Sequence, residues 1–333
     1  MNVENIICCD WGTSSFRLRL LNLKGEVIAE TKSDQGVLAT HTLWEQQKEV
    51  AASKRFEFYL TYIRNAMASL QVNGAIDVLS LPIVISGMAS SSIGMKNLPY
   101  TQLPFNLNGS LGYEVIEQEN KIPILLVTGV ASKDDVMRGE ETQIMGLFNL
   151  PSLQAMLPSK GLYILPGTHS KHIEVENGMV VNFKTFITGE LFQLLQTEGT
   201  ISKSIIASNN GNSKDPKYWD AFKKGVMNAK NGSLQNELFK IRANDILNNI
   251  TKEENYYYLS GLLIGNELAY LATGEKLKNK IIIGASDQLA DYYKQALIAL
   301  GLEKESIIIE SAQFEKATAM GQLAVYQHYA QIK

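Results

Sequence analysis

One short segment near the start of the chain combines a carboxylate, a glycine and three hydroxyl groups. It reads Asp10-Trp11-Gly12-Thr13-Ser14-Ser15-Phe16-Arg17. The glycine lets the backbone approach a ligand closely, and the amides and hydroxyls after it can donate hydrogen bonds to phosphate oxygens. The carboxylate can hold Mg²⁺, often through water. The segment predicts phosphate binding by Gly12, Thr13, Ser14 and Ser15 with Asp10 as the metal ligand, although taken alone it fits a hairpin turn with a capping aspartate equally well.

A second turn of this kind lies about 155 residues further along the chain. Gly167 and Thr168 follow the strand expected at Leu162–Leu165 and precede one expected at His172–Val175, just as Gly12 and Thr13 lie between two expected strands. Both copies then continue through a glycine-bearing hairpin into a third strand. This shared order indicates an internal duplication, in which two donor-rich turns hold one polyphosphate.

Two adjacent glutamates, Glu140 and Glu141, follow Gly139 where a helix is expected. They share one side of that helix with Met137 and Ile144, so at least one carboxylate points inward and needs a partner. Taken alone, the pair is better explained as acidic caps of a helix N-terminus, and catalysis is the alternative.

Four cationic side chains lie in or beside these motifs: Arg17, Arg138, His169 and Lys171. An arginine offers a planar fork that fits a carboxylate or a phosphate. Arg138 is the first choice for an anionic substrate, whereas Arg17 or Lys171 serves phosphate charge equally well. For His169, a purely structural hydrogen-bonded role is as good an explanation.

Small residues mark two further places. Gly284, Ala285 and Ser286 follow an apolar strand and open a helix, where free amides can contact a ligand, although a plain strand-to-helix turn explains them nearly as well. Gly261 and Gly265 lie four residues apart in an apolar helix and are better explained by close helix packing than by ligand contact.

The elements that position these residues are those of an alternating α/β protein. Strands are expected at Ile83–Ile85, Ile124–Val127, Ile281–Ile283 and Ile307–Ile309. Helices are expected from Trp44 to about Leu70, from near Asp135, and at Gly189–Leu195, Tyr218–Ala229, Gln235–Asn248, Tyr256–Leu271 and the end of the chain. The last helix has a periodic apolar face that we expect to pack on the first domain. The polar stretch Ser202–Pro216 indicates a surface loop.

Bulk properties narrow the class of protein. At 333 residues the chain exceeds the roughly 250 to 300 residues at which one core stops growing, so two domains with a ligand cleft are expected. A net charge of −3 argues against nucleic acid as a partner. Neighbouring cysteines, no signal-peptide pattern and no long apolar stretch favour a cytoplasmic protein without a membrane partner. The sequence also lacks the motifs of P-loop kinases, dinucleotide oxidoreductases, zinc proteases and serine hydrolases.

Several blocks together resemble one family. The first loop and Gly167-Thr168 are similar to the two phosphate loops of the actin, hexokinase and glycerol-kinase superfamily. The wider match, from residue 10 to about 290, resembles the 2-dehydro-3-deoxygalactonokinases. It rests on Gly87-Met88, Met137-Arg138-Gly139-Glu140-Glu141-Thr142-Gln143, Pro166-Gly167-Thr168-His169, Thr188-Gly189-Glu190-Leu191 and Leu259-Ser260-Gly261-Leu262-Leu263-Ile264-Gly265.

The resemblance implies a fold and its limits. We expect two ribonuclease H-like, actin-like ATPase domains, each with a mixed five-stranded sheet flanked by helices, around a cleft. The first would span 1–160 and carry the sugar-acid and catalytic region, the second 161–310 with the adenosine site, and 311–333 would form the returning helix.

The resemblance also implies an activity and residue roles. The expected reaction is phosphorylation of 2-dehydro-3-deoxy-D-galactonate to its 6-phosphate, with ATP and Mg²⁺ as cofactors and a homodimer left open. Glu140 becomes the catalytic base, with Glu141 and Asp135 as alternatives, and Arg138 assists. The resemblance assigns phosphate and adenosine contacts to the two loops and to Gly284, Ala285 and Ser286. It assigns substrate contacts to Arg17, Gly87, Met88, Glu141, His169 and Lys171.

Three places depart from the family pattern: Ala89-Ser90-Ser91, Met95 and His172. They allow a related sugar acid or another sugar as substrate. A nucleotide-switched binding protein is the alternative from a different class, because one fold serves several functions.

Overall fold

The computed structural model describes residues 3–47, 54–72, 76–117, 122–207, 215–272 and 279–332. Its strands are β1 (Asn5–Trp11), β2 (Phe16–Asn22), β3 (Val27–Ser33), β4 (Ile83–Gly87), β5 (Thr101–Gln102), β6 (Phe105–Asn106), β7 (Tyr113–Glu117), β8 (Pro123–Val127), β9 (Val130–Ala131), β10 (Val136–Met137), β11 (Lys160–Leu165), β12 (Ser170–Glu176), β13 (Met179–Phe186), β14 (Lys280–Gly284) and β15 (Ser306–Ile309). Its α-helices are α1 (Val37–Glu45), α2 (Arg55–Ala68), α3 (Glu140–Asn149), α4 (Thr188–Thr197), α5 (Pro216–Asn231), α6 (Leu234–Ile246), α7 (Lys252–Leu268), α8 (Asp287–Ala299) and α9 (Ser311–Gln331).

The two large sheets repeat one topology. The strand orders are β3-β2-β1-β4-β8-β7 and β13-β12-β11-β14-β15 with β6 beside β13. In the first sheet β1 pairs antiparallel with β2 and parallel with β4. In the second, β11 pairs parallel with β14, as β14 does with β15. The five shared strands confirm the expected duplication and α/β fold class, and β7 and β6 each add one further strand at a sheet edge.

Contacts divide the chain into two compact units. The first comprises residues 1–159, 175–183 and 315–333, and the second comprises residues 160–174 and 184–314. The domain limits 1–160, 161–310 and 311–333 stay a prediction. No helix of the described part of the chain is long and apolar enough to cross a membrane.

In the first unit, helix α9 completes the core around β1. The amide of the buried Gln322 donates to the carbonyl of Cys9 at 2.7 Å and to the hydroxyl of Ser86 at 2.9 Å. A Cβ on Gly321 would lie 2.0 Å from the carbonyl oxygen of Thr142, so α9 and α3 approach as closely as a glycine allows. The ends of β1, β4 and α3 are therefore held in one fixed arrangement.

In the second unit, α5 and α7 cross at backbone contact. A Cβ on Gly261 would lie 2.0 Å from the carbonyl oxygen of Phe222, and one on Gly265 would lie 2.6 Å from the Cα of Val226. This confirms that both glycines serve helix packing. The crossing fixes the depth at which α7 runs beside the second sheet.

Two expected helices were placed wrongly. One long helix was expected from Trp44 to about Leu70. Instead, α1 ends at Glu45 and α2 begins at Arg55, and residues 48–53 between them lie outside the described part of the chain. The helix expected near Asp135 begins at Glu140, because the Ser132 hydroxyl accepts the backbone N–H of Asp135 and forms a turn before β10. Serine and aspartate compete with helix formation in this way.

The surface loop expected at Ser202–Pro216 lies largely outside the described residues, which omit 208–214. The remaining strands and helices that the sequence indicated form where expected, with limits shifted by a few residues.

Candidate functional site

The first phosphate loop is a tight turn between β1 and β2. The Gly12 N–H donates to the carbonyl of Ser15 at 2.9 Å, so it closes the turn and the amides free for a ligand begin after it. Thr13, Ser14 and Ser15 are exposed. The amides of Val37 and Leu38 at the start of α1 donate to the carbonyls of Gly12 and Thr13, which fixes the loop from below.

Asp10 is the next-to-last residue of strand β1, and Gly87 of the neighbouring strand β4 lies beside it. A Cβ on Gly87 would approach the carbonyl oxygen of Trp11 to 2.7 Å, and its φ of +85° also favours glycine. Burial raises the pKa of Asp10, the nearby Arg17 and Arg19 lower it, and the charge of Glu140 raises it. The predicted residues Asp10, Gly87 and Glu140 are thus brought together, and Met88 follows Gly87 half-buried.

The two glutamates of α3 have different surroundings. Glu141 is fully buried, and its two carboxylate oxygens accept the Gly139 N–H at 2.6 Å and the Thr142 hydroxyl at 3.2 Å. Burial, followed by the charge of Glu140, raises the pKa of Glu141 from 4.5 to about 8. Glu140 is partly exposed, and its carboxylate accepts the Arg138 N–H at 3.1 Å. Asp135 lies before β10, where its carboxylate accepts the Val136 N–H.

The guanidinium of Arg138 is bound within the first unit. It donates to the carbonyl of Ser90 at 2.7 Å, to the hydroxyl of Ser90 and to the carbonyl of Leu98 at 3.4 Å. It also lies over the ring of Tyr100, 4.4 Å from its centre. The side chain expected to meet the substrate therefore ties the start of α3 to the segment after Gly87.

Arg17 opens onto a polar pocket that sequence reasoning described only in part. The pocket is lined by Asp10, Ser15, Phe16, Arg17, Lys32, Ser33 and Asp34. Lys32 is paired with Arg17 across β2 and β3 and adds a second cation. No sequence pattern pointed to Lys32, because only the strand register shows that it lies opposite Arg17.

The second phosphate loop is joined to the N-terminus of α4. A Cβ on Gly189 would lie 2.4 Å from the carbonyl oxygen of Gly167, and the Glu190 N–H donates to the carbonyl of Thr168 at 3.0 Å. His169 and Glu190 form an exposed pair at 2.5 Å. On its side-chain face Gly167 is open, since a Cβ there would have no atom within 4 Å.

Lys171 lies beneath this loop. It is buried, and its ammonium group donates to the carbonyl of His169 at 3.2 Å. Its bond is to the backbone of this loop, whereas His169 is exposed and paired with Glu190.

Beside the second loop lies a pocket of about 190 Å³ with largely apolar and aromatic walls. Its lining comprises Pro166, Gly167, Thr188, Gly189, Phe192, Tyr256, Ser260, Leu263, Ile264, Gln288, Leu289, Tyr292 and Tyr293. Gly284, Ala285 and Ser286 are outside this lining and lead into α8, whose first turns contribute Gln288 and Leu289. Apolar and aromatic walls with a few polar groups are typical of a small-molecule site.

A model of the 2-keto-3-deoxy-galactonokinase family matches residues 10–323. The chain belongs to this family. The resemblance expected from the sequence is confirmed, and the matched range contains all the candidate site residues described in this section.

Curated relatives agree with this 2-keto-3-deoxy-galactonokinase assignment. The chain is 32% identical over 234 residues to the 2-dehydro-3-deoxygalactonokinase of Escherichia coli, covering 69% of this chain and 75% of the relative. It is 29% identical over 307 residues to a Rhizobium meliloti protein named "Probable 2-dehydro-3-deoxygalactonokinase DgoK1", covering 91% of this chain and 92% of the relative.

A crystal structure supports the same family fold. A 2-dehydro-3-deoxygalactonokinase-family protein from Sinorhizobium meliloti superposes with a TM-score of 0.76 at 28% identity, covering 97% of this chain and 99% of that one.

Proposed function

We propose that this chain transfers the γ-phosphoryl group of ATP to the 6-hydroxyl of 2-dehydro-3-deoxy-D-galactonate. The observation that carries the proposal is the meeting of Asp10, Gly87 and Glu140 directly beside the first phosphate loop, in a chain of this kinase family. Phosphoryl transfer needs hydrogen-bond donors that hold the phosphate oxygens, neutralisation of the phosphate charge, and a carboxylate that orients the attacking hydroxyl. The exposed hydroxyls of Thr13, Ser14 and Ser15 and the carboxylates of Asp10 and Glu140 supply these parts.

Nucleotide binding falls to the second unit. The aromatic and aliphatic walls formed by Phe192, Tyr256 and Leu263 suit a purine base, and Gly167 at the pocket edge gives phosphates close access to the backbone. The hydroxyls of Thr13, Ser14 and Ser15 in the first unit are exposed and can donate to phosphate oxygens. Gly284, Ala285 and Ser286 act by setting the start of α8.

Glu140 is the proposed base. Its carboxylate is partly exposed and electrostatically coupled to Asp10, whereas both oxygens of the buried Glu141 are bonded to their own helix start. Asp135 lies outside the carboxylates that influence Asp10. A base must come within hydrogen-bond reach of the substrate hydroxyl, which favours the accessible carboxylate.

The donor set around Asp10 fits Mg²⁺. This ion is typically held by one or two carboxylates together with substrate phosphates. Asp10 is partly enclosed, and the adjacent Glu140 adds a second negative charge, so a cation here would keep both carboxylates ionised. When bound, Mg²⁺ would neutralise charge on the triphosphate, while Asp10 positions the ion.

Arg17 is the proposed partner of the sugar-acid carboxylate, because it opens onto the polar pocket with Lys32. Arg138 holds the segment after β4 through its bond to Ser90, and Gly87 and Met88 are the proposed substrate contacts of that segment. We propose that His169 meets the substrate side of the second loop and that Lys171 holds this loop. A cytoplasmic location and a homodimer complete the proposal.

The test is an ADP-release assay with Mg-ATP against keto-deoxy sugar acids, neutral sugars and polyols. We expect strong stimulation by 2-dehydro-3-deoxygalactonate. Stimulation by another compound instead would reassign the substrate, and slow ATP hydrolysis that no compound changes would favour a nucleotide-switched binding protein. Light scattering after gel filtration tests the homodimer.

A further inference from the structure

One carboxylate in the second unit collects hydrogen bonds from four side chains. Glu267, near the end of α7, is 1% exposed. Its oxygens accept from the Ser170 hydroxyl at 2.7 Å, the His172 Nε2–H at 2.8 Å, the Tyr293 hydroxyl at 2.8 and 2.9 Å, and the Thr188 hydroxyl.

These donors come from the elements that surround the nucleotide pocket. Ser170 begins β12 directly after the second phosphate loop, Thr188 is the first residue of α4, and Tyr293 belongs to α8. Thr188 and Tyr293 also line the pocket. Glu267 itself lies behind the pocket wall, so it acts through these residues and does not contact the ligand.

The link from Glu267 to the loop is short. Thr188 precedes Gly189 and Glu190, which contact the carbonyls of Gly167 and Thr168. Ser170 lies two residues after Thr168. Holding Thr188 and Ser170 at one carboxylate therefore fixes the loop from both of its sides.

The carboxylate of Glu267 suits this set of donors. Its two oxygens offer about four acceptor positions and no donor, whereas an amide would place an N–H against hydroxyl donors. Since Nε2 of His172 donates to Glu267, its Nδ1 can accept from the hydroxyl of Tyr270, which lies 2.7 Å away. An unsatisfied group in so buried a network is costly, so the loss of the carboxylate must move its partners.

We infer that Glu267 is the positioning residue of the nucleotide half of the site, holding the second phosphate loop, α4 and α8 in the geometry that binds ATP. The inference rests on the proposed kinase function. A positioning role differs from a merely structural one in a measurable way, because loss of the Glu267 carboxylate should weaken ATP binding and leave sugar-acid binding unchanged.

The experiment compares Glu267→Gln with Glu237→Gln. Glu237 is a matched control in the same unit, because it is 5% exposed and accepts from the Tyr258 hydroxyl at 2.8 Å but lies outside the pocket lining. For E267Q we expect the KM for ATP, and the Kd of a non-hydrolysable ATP analogue, to rise about tenfold, or about 1.4 kcal/mol. The KM for the sugar acid should stay within about twofold of wild type, and E237Q should leave both KM values unchanged.

Equal increases in both KM values, an unchanged ATP KM, or the same ATP effect in E237Q would overturn the inference. If E267Q does not fold, Ser170→Ala removes one donor at small structural cost and decides instead. It should raise the ATP KM by about threefold with the sugar-acid KM unchanged, and an unaltered ATP KM would overturn the inference. Wild-type protein that binds the analogue but phosphorylates no sugar acid would reject the proposed function and leave the Kd comparison able to test Glu267.

Discussion

Glu140 lies close enough to Asp10, at the end of strand β1, for its charge to act on that carboxyl group: burial raises the pKa of Asp10, Arg17 and Arg19 lower it, and the charge of Glu140 raises it. Two carboxylates on separate elements are thus held near one another. Such an arrangement costs stability unless a cation or a reacting group joins it. It identifies where the chemistry should take place and leads to the first prediction.

Changing Glu140 to Gln should lower kcat by about 10² to 10⁴-fold, because the substrate hydroxyl loses its base. Binding of an ATP analogue should remain near the wild-type level. Steady-state kinetics together with calorimetric titration measure both. Glu141→Gln is the comparison, and if it lowers kcat more than Glu140→Gln does, the role of base moves to Glu141.

Glu141→Gln should flatten the pH dependence of stability. The native carboxyl keeps its proton up to a pKa of about 8, whereas the unfolded one titrates near 4.5, so between these values the native state binds more protons. Wild-type stability should therefore fall as pH rises through this window, by at most about 1.4 kcal/mol per pH unit from this group. The stability of the variant should fall less steeply in urea unfolding at pH 5, 6, 7 and 8, and parallel curves would contradict the assignment.

Gly189→Ala should displace the second phosphate loop. The added Cβ would lie 2.4 Å from the carbonyl oxygen of Gly167, so helix and loop must separate. Because small misplacements at a site can cost up to about 10²-fold, we expect the KM for ATP to rise at least about tenfold. Gln193→Ala, at an exposed position of the same helix, is the control, and equal behaviour of the two variants would refute the close contact.

Arg138→Lys should raise the KM for the sugar acid by about tenfold, since lysine lacks the planar fork that reaches both Ser90 and Leu98. The KM for ATP should change little. Ser90→Ala removes one acceptor of the same group and should give a smaller effect in the same direction. An effect of Arg138→Lys on ATP alone would place its role in phosphate binding.

The sequence predicted the parts of the fold that depend on neighbouring residues. Runs such as Ile281–Ile283 and turns such as Gly12-Thr13 are local patterns, and the structure has them as expected. The helix expected near Asp135 begins later, because the Ser132 side chain accepts a hydrogen bond from the Asp135 N–H. Such a local bond cannot be recognised from the periodicity of apolar residues.

Long-range partners were outside the reach of the sequence. Nothing beside Glu267 indicates that Ser170, Thr188 and Tyr293 converge on it, because they come from four separate elements counting its own. Arg138 was expected at the substrate for its type and place, but its bonds to Ser90 depend on how the chain returns after β4. Residue type and spacing identify candidates, and packing decides which atoms stay accessible.

The bond from Gln322 to Cys9 joins residues 313 positions apart, and both belong to the first unit. During synthesis on the ribosome, strands β1 and β4 emerge early, yet the helix that completes their core follows the whole of the second unit. The second unit can therefore fold while the first unit is still incomplete and part of its apolar surface is exposed. Chaperones that hold nascent chains have their longest window of access at the half of the protein that is made first.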